Sequence, residues 1–328
     1  MKTDVDPNLI VFFNGDYIPL HEARIGILTH ALHYGTGVFE GIRAYWDEPS
    51  QELFVMRPRE HYERMRRNCG ILRIELPQTA EQLCKITLEL LRRNGFRTDI
   101  YIRPLAYKSA QRIGVATDDQ DAFAIVAVPF GAYFAVQGGL HAGVSSWVRN
   151  NDNAIPPRGK ITGAYANSAL ASDDAHRAGF DEAILLNQSG HVTEGATCNL
   201  FMVRDGRLIT PPVTEDVLEG ITRDSVMELA QRELGVETVE RPIDRSELYC
   251  ADELFLAGTG VAIQPVIRVD HRQVKDGAVG PITSRMQQLY LDATRGRLAA
   301  YRKWIVPVYK SRPAPREGAQ RDAEASFA

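Results

Sequence analysis

Two short segments of the chain combine residue types suited to covalent cofactor chemistry. One is Arg158-Gly159-Lys160-Ile161-Thr162-Gly163-Ala164-Tyr165, and the other is Thr193-Glu194-Gly195-Ala196-Thr197-Cys198-Asn199. Pyridoxal phosphate chemistry needs a lysine amine that takes an aldehyde as a Schiff base, and a partner for the pyridine nitrogen. Lys160 and Glu194 match those two roles as residue types. Alone, the lysine would argue for nothing, because most lysines are solvated surface charges. The pairing makes the reading.

A phosphorylated cofactor also needs N–H donors, which a helix start supplies together with the positive end of its dipole. Leu218-Glu219-Gly220-Ile221-Thr222-Arg223-Asp224 reads as the entrance to a helix with a capping hydroxyl at Thr222, and Gly258-Thr259-Gly260 closes an apolar strand. An ordinary N-cap and an ordinary tight turn stay open as readings of these segments. His30 and His33 stand three apart with no third ligand spaced to complete a site, so no metal is assigned. Cys69, Cys84, Cys198 and Cys250 include no C-x-x-C pair and read as free thiols in a reducing compartment.

These residues need a scaffold to position them. The 328 residues exceed the usual size of a single core, which favours two domains. A net charge of -4 leaves no electrostatic footprint for nucleic acid. No leader-like segment and no run near the ~18 apolar residues that span a bilayer is present, so a cytoplasmic protein is expected. Residues 9–13 and 17–18 flank the turn Asn14-Gly15-Asp16 as a β-hairpin, and 53–56, 101–107 and 122–128 read as strands. Thr79 and Gln82 form a capping box ahead of Leu83, Ile86, Leu90 and Leu91, and Asn94-Gly95 offers a stop, which predicts a helix between them. The Gly/Ala-rich stretch 131–143 reads as the connection between a smaller N-terminal α/β domain, 1–130, and a larger strand-rich domain, 144–310. In the latter, strands are expected at 183–186, 199–203 and 208–210, and helices at 222–234 and roughly 283–301. The small and polar residues of 311–328 predict a disordered tail. No strand-linked G-x-G-x-x-G supports a dinucleotide fold.

Three further motifs stand in order with these segments: His30-Ala31-Leu32-His33-Tyr34-Gly35-Thr36-Gly37-Val38-Phe39-Glu40-Gly41-Ile42-Arg43, Arg57-Pro58-Arg59-Glu60-His61 and Tyr101-Ile102-Arg103-Pro104-Leu105. With them the chain resembles, from about residue 9 to about residue 305, the branched-chain amino acid aminotransferases among the fold-type-IV pyridoxal phosphate enzymes. The resemblance implies an α+β, two-domain, D-amino acid aminotransferase-like architecture. It implies transfer of the amino group of leucine, isoleucine or valine to 2-oxoglutarate, with pyridoxal 5'-phosphate as cofactor.

Under that resemblance Lys160 is the cofactor lysine and the base that moves a proton from the substrate α-carbon, while Glu194 pairs with the ring nitrogen and Tyr165 with the phenolic oxygen. Arg59, the backbone of Ile221 and Thr222, and Thr259 would hold the phosphate. Tyr101 and the Thr259-Gly260 backbone would take the α-carboxylate and Arg103 the second carboxylate of glutamate, with Phe39, Tyr34 and Tyr165 walling an apolar pocket. Tyr34 would come from a neighbouring subunit of a homodimer or larger homo-oligomer. The expected partners are amino acids and 2-oxo acids, with no nucleic acid and no membrane. Read without the resemblance, Tyr165 is equally a core or interface tyrosine, and Arg59 and Arg103 are solvated or salt-bridged arginines.

Thr197, Cys198 and Gly260-Val261-Ala262 depart from the family pattern near the substrate and leave the side-chain preference open. D-amino acid aminotransferases, amine transaminases and aminodeoxychorismate lyase share the fold, and a non-catalytic pyridoxal phosphate-binding protein is a further alternative.

Overall fold

The expected hairpin forms, with Ile10–Phe13 antiparallel to Asp16–Pro19 and Asn14 and Gly15 both at positive φ in its turn. The computed structural model describes residues 5–131, 134 and 138–310. In it the hairpin edges an eight-stranded sheet whose spatial order is Ile305–Pro307, Glu52–Met56, Ile42–Asp47, Ile100–Lys108, Asp121–Pro129, Ile10–Phe13, Asp16–Pro19. Gly37–Phe39 pairs beside Ile100–Lys108. Along Ile100–Lys108 the residues Ile100, Ile102 and Pro104 are buried, whereas Tyr101 and Arg103 stand on the opposite face.

Two helices contribute to the core of this sheet. Ala80–Asn94 has both hydrogen bonds of the Thr79–Gln82 capping box and ends at Gly95 in the left-handed conformation. Pro58–Ile71 is a helix that the sequence reading did not expect. Pro58 starts it where no N–H is needed, and Tyr62, Met65 and Cys69, spaced three and four apart, join the core with Leu83, Leu90 and Leu91.

The second sheet has nine strands, in the order Val192–Gly195, Glu182–Leu186, Leu140–Val148, Ala262–Val269, Glu253–Gly258, Asn199–Arg204, Arg207–Thr210, Thr238–Glu240, with Arg272–Gln273 beside Ala262–Val269. Val192–Gly195 also pairs with Asn199–Arg204 through Glu194 and Asn199, so the strands from one to the other close into a ring. This sheet begins at Leu140, inside the stretch read as a connection, and Ile305–Pro307 returns to the first sheet against Glu52–Met56. Tyr45 and Met56 of the first sheet share a core with Phe201, Phe255, Met286 and Trp304.

The helix expected over 283–301 is shorter. Pro281–Thr294 stops before Gly296, whose φ of 72° leaves the α-helical region, and a 3-10 segment Ala299–Trp304 follows. Among the described residues, no helix is long and apolar enough to cross a membrane. The tail expected at 311–328 lies outside the described residues.

Candidate active site

A cavity of about 490 Å³, well within the range of small-molecule sites, is lined by residues of both sheets. Lys160 lines it from the loop ahead of the 3-10 turn Thr162–Ala164. The loop is tied down on two sides. Lys160 C=O accepts from Phe39 N at 3.0 Å. Asn68, with its amide oriented to satisfy both ends, accepts from Lys160 N at 3.1 Å and donates to Arg158 O at 3.2 Å. The Lys160 amine donates to the Tyr165 hydroxyl at 2.6 Å and sits 5.0 Å from the centre of the Phe39 ring.

Glu194 stands at the strand pair that closes the ring, 3 % exposed. Arg149 reaches its carboxylate at 2.5 Å and Asn199 Nδ2 donates to it at 3.0 Å. Burial pushes the Glu194 carboxyl up from its ordinary value, and Arg149 offsets that only in part. Arg149 was not among the residues read from the sequence. It lies just past the strand Leu140–Val148, and only the pairing of that strand in the second sheet brings it to Glu194.

The helix Ile221–Leu229 begins at Gly220, and no side chain caps it. Thr222 is therefore not the cap that the sequence suggested; its hydroxyl lies 3.5 Å from that of Tyr290. An uncapped helix start keeps its first N–H groups available to an anion. Gly220 is needed there, since a Cβ would overlap Asn199 Oδ1.

Arg59 requires correction as a phosphate ligand. Its side chain is 77 % exposed, pairs with Glu63 at 2.9 Å and does not line the cavity. The residue of the same helix that does line it is Arg64, whose Nη1 donates to Glu219 O at 2.7 Å just ahead of the uncapped helix. Helical phase decides this: positions 59 and 64 stand about 140° apart around the axis.

Elsewhere on the lining, Arg103 Nη2 donates to the Tyr101 hydroxyl at 3.1 Å, and the guanidinium sits 4.4 Å from the centre of the Phe39 ring. Phe39 in turn packs edge-on against Tyr165 at 4.7 Å. A Cβ on Gly41 would overlap the Tyr101 hydroxyl, so the glycine makes room for it. Thr259 and Gly260 line the cavity from the turn between two strands, and Ile221 and Thr222 line it from their helix. Thr197 and Cys198 both line the cavity; Thr197 is exposed, whereas Cys198 is buried and also packs in the core of the second sheet. Tyr34 is not among the lining residues; its hydroxyl accepts from Gly114 N at 3.0 Å.

Residues 37–269 match the family model described as amino-transferase class IV. The chain belongs to that family. It is 48% identical to a protein of Aquifex aeolicus named "Probable branched-chain-amino-acid aminotransferase", over 91% of this chain and 96% of that one. Its fold is similar to a branched-chain aminotransferase of Thermoproteus uzoniensis solved with norvaline, with a TM-score of 0.88 and 43% identity over 92% of this chain and 99% of that one. A branched-chain amino acid aminotransferase of Thermobaculum terrenum in PLP-form gives a TM-score of 0.89 and 38% identity, covering 93% of this chain and 100% of that chain.

As a class IV aminotransferase the chain is a pyridoxal phosphate enzyme with the α+β fold that the sequence implied. The residues present fit the cofactor. The cavity offers an amine on a tethered loop, a buried acid beside an arginine, and an uncapped helix start next to Arg64.

Proposed function

We propose that the protein transfers the amino group of leucine, isoleucine and valine to 2-oxoglutarate, giving branched-chain 2-oxo acids and L-glutamate. The observation that carries this reading is the meeting, in one cavity, of the Lys160 amine, the Glu194–Arg149 pair and an aromatic wall with Arg103 at its edge. The names of the relatives support the same substrates.

Pyridoxal phosphate, when bound, supplies an aldehyde and an electron-accepting ring. Lys160 Nζ is the group that moves the proton off the substrate α-carbon, and the Tyr165 hydroxyl orients it. Glu194 holds negative charge for the ring nitrogen, and Arg64 with the N–H groups of Ile221 and Thr222, joined by Thr259, holds the phosphate. Tyr101 and the Thr259-Gly260 backbone take the α-carboxylate. Phe39 and Tyr165 give the apolar wall that a branched side chain needs, and Arg103 gives the cation that a second carboxylate needs.

A homodimer is part of the proposal, with Tyr34 contributed to the neighbouring subunit's site. The exposure of Ile27, Leu32, Ile113 and Val115 supports a covered face near Tyr34. The two sheets are proposed as two domains joined between residues 130 and 140, in a cytoplasmic enzyme. The test is a panel of amino donors with 2-oxoglutarate. Leucine, isoleucine and valine should react, and Lys160→Ala should lose turnover while still binding the cofactor through its phosphate. Wild-type turnover in that variant would sink the assignment.

A further inference from the structure

We propose that the helix Pro58–Ile71 positions both ends of the cofactor through one buried polar stripe, with Glu40 and His61 setting Arg64, and Asn68 setting Lys160. The inference rests on the function proposed above and assigns positioning residues to it.

The helix carries two buried stripes. Tyr62, Met65 and Cys69 enter the apolar core. His61, Arg64 and Asn68, again three and four apart, are 2 %, 5 % and 4 % exposed, yet they are polar. Polar groups buried beside an apolar core destabilise the fold unless they are hydrogen-bonded, so their partners reveal what they are for.

Those partners belong to the site or to its immediate support. Glu40, fully buried, accepts from His61 Nδ1, Arg64 Nε and Arg64 Nη2, each at 2.8 Å. Arg64 Nη1 is left to reach Glu219 O at 2.7 Å, at the approach to the uncapped helix. The guanidinium is thus fixed in plane and direction before any anion arrives. Burial pushes the Glu40 carboxyl upward, but Arg64 and His61 outweigh it and hold the group far below its ordinary value. Burial lowers the pKa of His61, so a neutral ring donating through Nδ1 suits the geometry.

About one helical turn further along, Asn68 bonds Lys160 N and Arg158 O and fixes the loop from which the amine projects. Four residues at about 1.5 Å rise place the two anchors about 6 Å apart along a rigid axis. The separation of phosphate contact and amine is therefore set by one element rather than by two that move independently.

The experiment strips the purified enzyme of cofactor and titrates it with pyridoxal phosphate and with pyridoxamine phosphate. The second ligand has no aldehyde for Lys160, so it reads the noncovalent contacts, the phosphate anchor among them, without the bond to the amine. Wild type must bind pyridoxal phosphate first; if it does not, the proposed function fails, and the inference falls with it. Given that binding, Glu40→Gln should weaken both ligands in parallel, by about tenfold or more. His61→Asn, which keeps the Glu40–Arg64 pair and so guards against a Glu40 variant that does not fold, should weaken both by about threefold. Asn68→Ala should weaken pyridoxal phosphate by about tenfold while leaving pyridoxamine phosphate within about twofold, and should shift the pH midpoint of the bound chromophore. Wild-type affinities in folded variants would overturn the proposal. So would an Asn68→Ala loss equal for both ligands, since that pattern marks general loosening.

Discussion

Glu40 and Glu194 are both buried carboxylates that meet an arginine at the same cavity, yet their surroundings shift them in opposite directions. Glu40 accepts two N–H groups from Arg64 and one from His61, all at 2.8 Å. Glu194 has one close guanidinium nitrogen, the Asn199 amide at 3.0 Å, and Leu218 N only at a long 3.4 Å. Burial acts against both charges in the same sense, so the number and quality of donors decide the outcome. The Glu40 carboxyl ends far below its ordinary value and the Glu194 carboxyl above its own. A carboxylate saturated by protein donors is a strut. One less fully satisfied retains affinity for a further N–H, which is what a ring nitrogen offers.

The contrast breaks most visibly at Glu194. Glu194→Gln keeps the shape and the bond from Asn199 but removes the charge, and it should lower the single-turnover rate with leucine by about a hundredfold or more while the protein stays folded. A rate equal to wild type would remove Glu194 from the ring. Arg103→Ala should lower kcat/KM for 2-oxoglutarate by about tenfold to a hundredfold, as expected for a charge-assisted contact of roughly 1.5–3 kcal/mol. Leucine's half-reaction should fall much less, and rapid mixing of each half-reaction separates the two. An equal loss would make Arg103 a shaper of the site rather than a reader of the second carboxylate.

Acid titration of the cofactor-free protein sharpens the comparison further, because the two shifts have opposite signs. Glu194, with a raised folded pKa, contributes stability that is complete below its unfolded value and is lost as the pH rises through the folded one. Glu40, with a lowered folded pKa, contributes stability that is present above its unfolded value and is lost as the pH falls through the folded one. From neutral pH down towards 4.5, wild type should gain in Tm relative to Glu194→Gln; below 4.5 it should lose its advantage over Glu40→Gln. Each slope is bounded at about 1.4 kcal/mol per pH unit. Parallel Tm curves for wild type and both variants would contradict the opposed settings. The smallest expected effect is at Arg59, where replacement by alanine should leave cofactor affinity and turnover within about twofold, because an exposed pair with Glu63 contributes little. A large loss there would return Arg59 to the phosphate.

Much of this was legible in the chain itself. Lys160 and Glu194 stand out by residue type, since few side chains can hold an aldehyde cofactor and oppose its ring nitrogen, and the fold brings both to the same cavity. Tyr101 and Arg103 were placed on one face by strand alternation, and the helix after Thr79 by its capping box, because both rules act over a few neighbouring residues. The helix Pro58–Ile71 was missed because its polar buried stripe runs beside the apolar one and blurs the helical period.

What the tertiary structure alone decided is which arginine lines the cavity and how each acid is tuned. Arg59 and Arg64 have the same chemistry and differ in helical phase, so the choice between them depends on which face of the helix meets the sheet. Arg149 reaches Glu194 only because strands distant in sequence pair within the ring. The opposite settings of Glu40 and Glu194 follow from burial and from donors contributed by distant segments. Local sequence rules carry residue type and periodicity; the desolvation and donor count that set a carboxylate's charge exist only once the chain has closed around it.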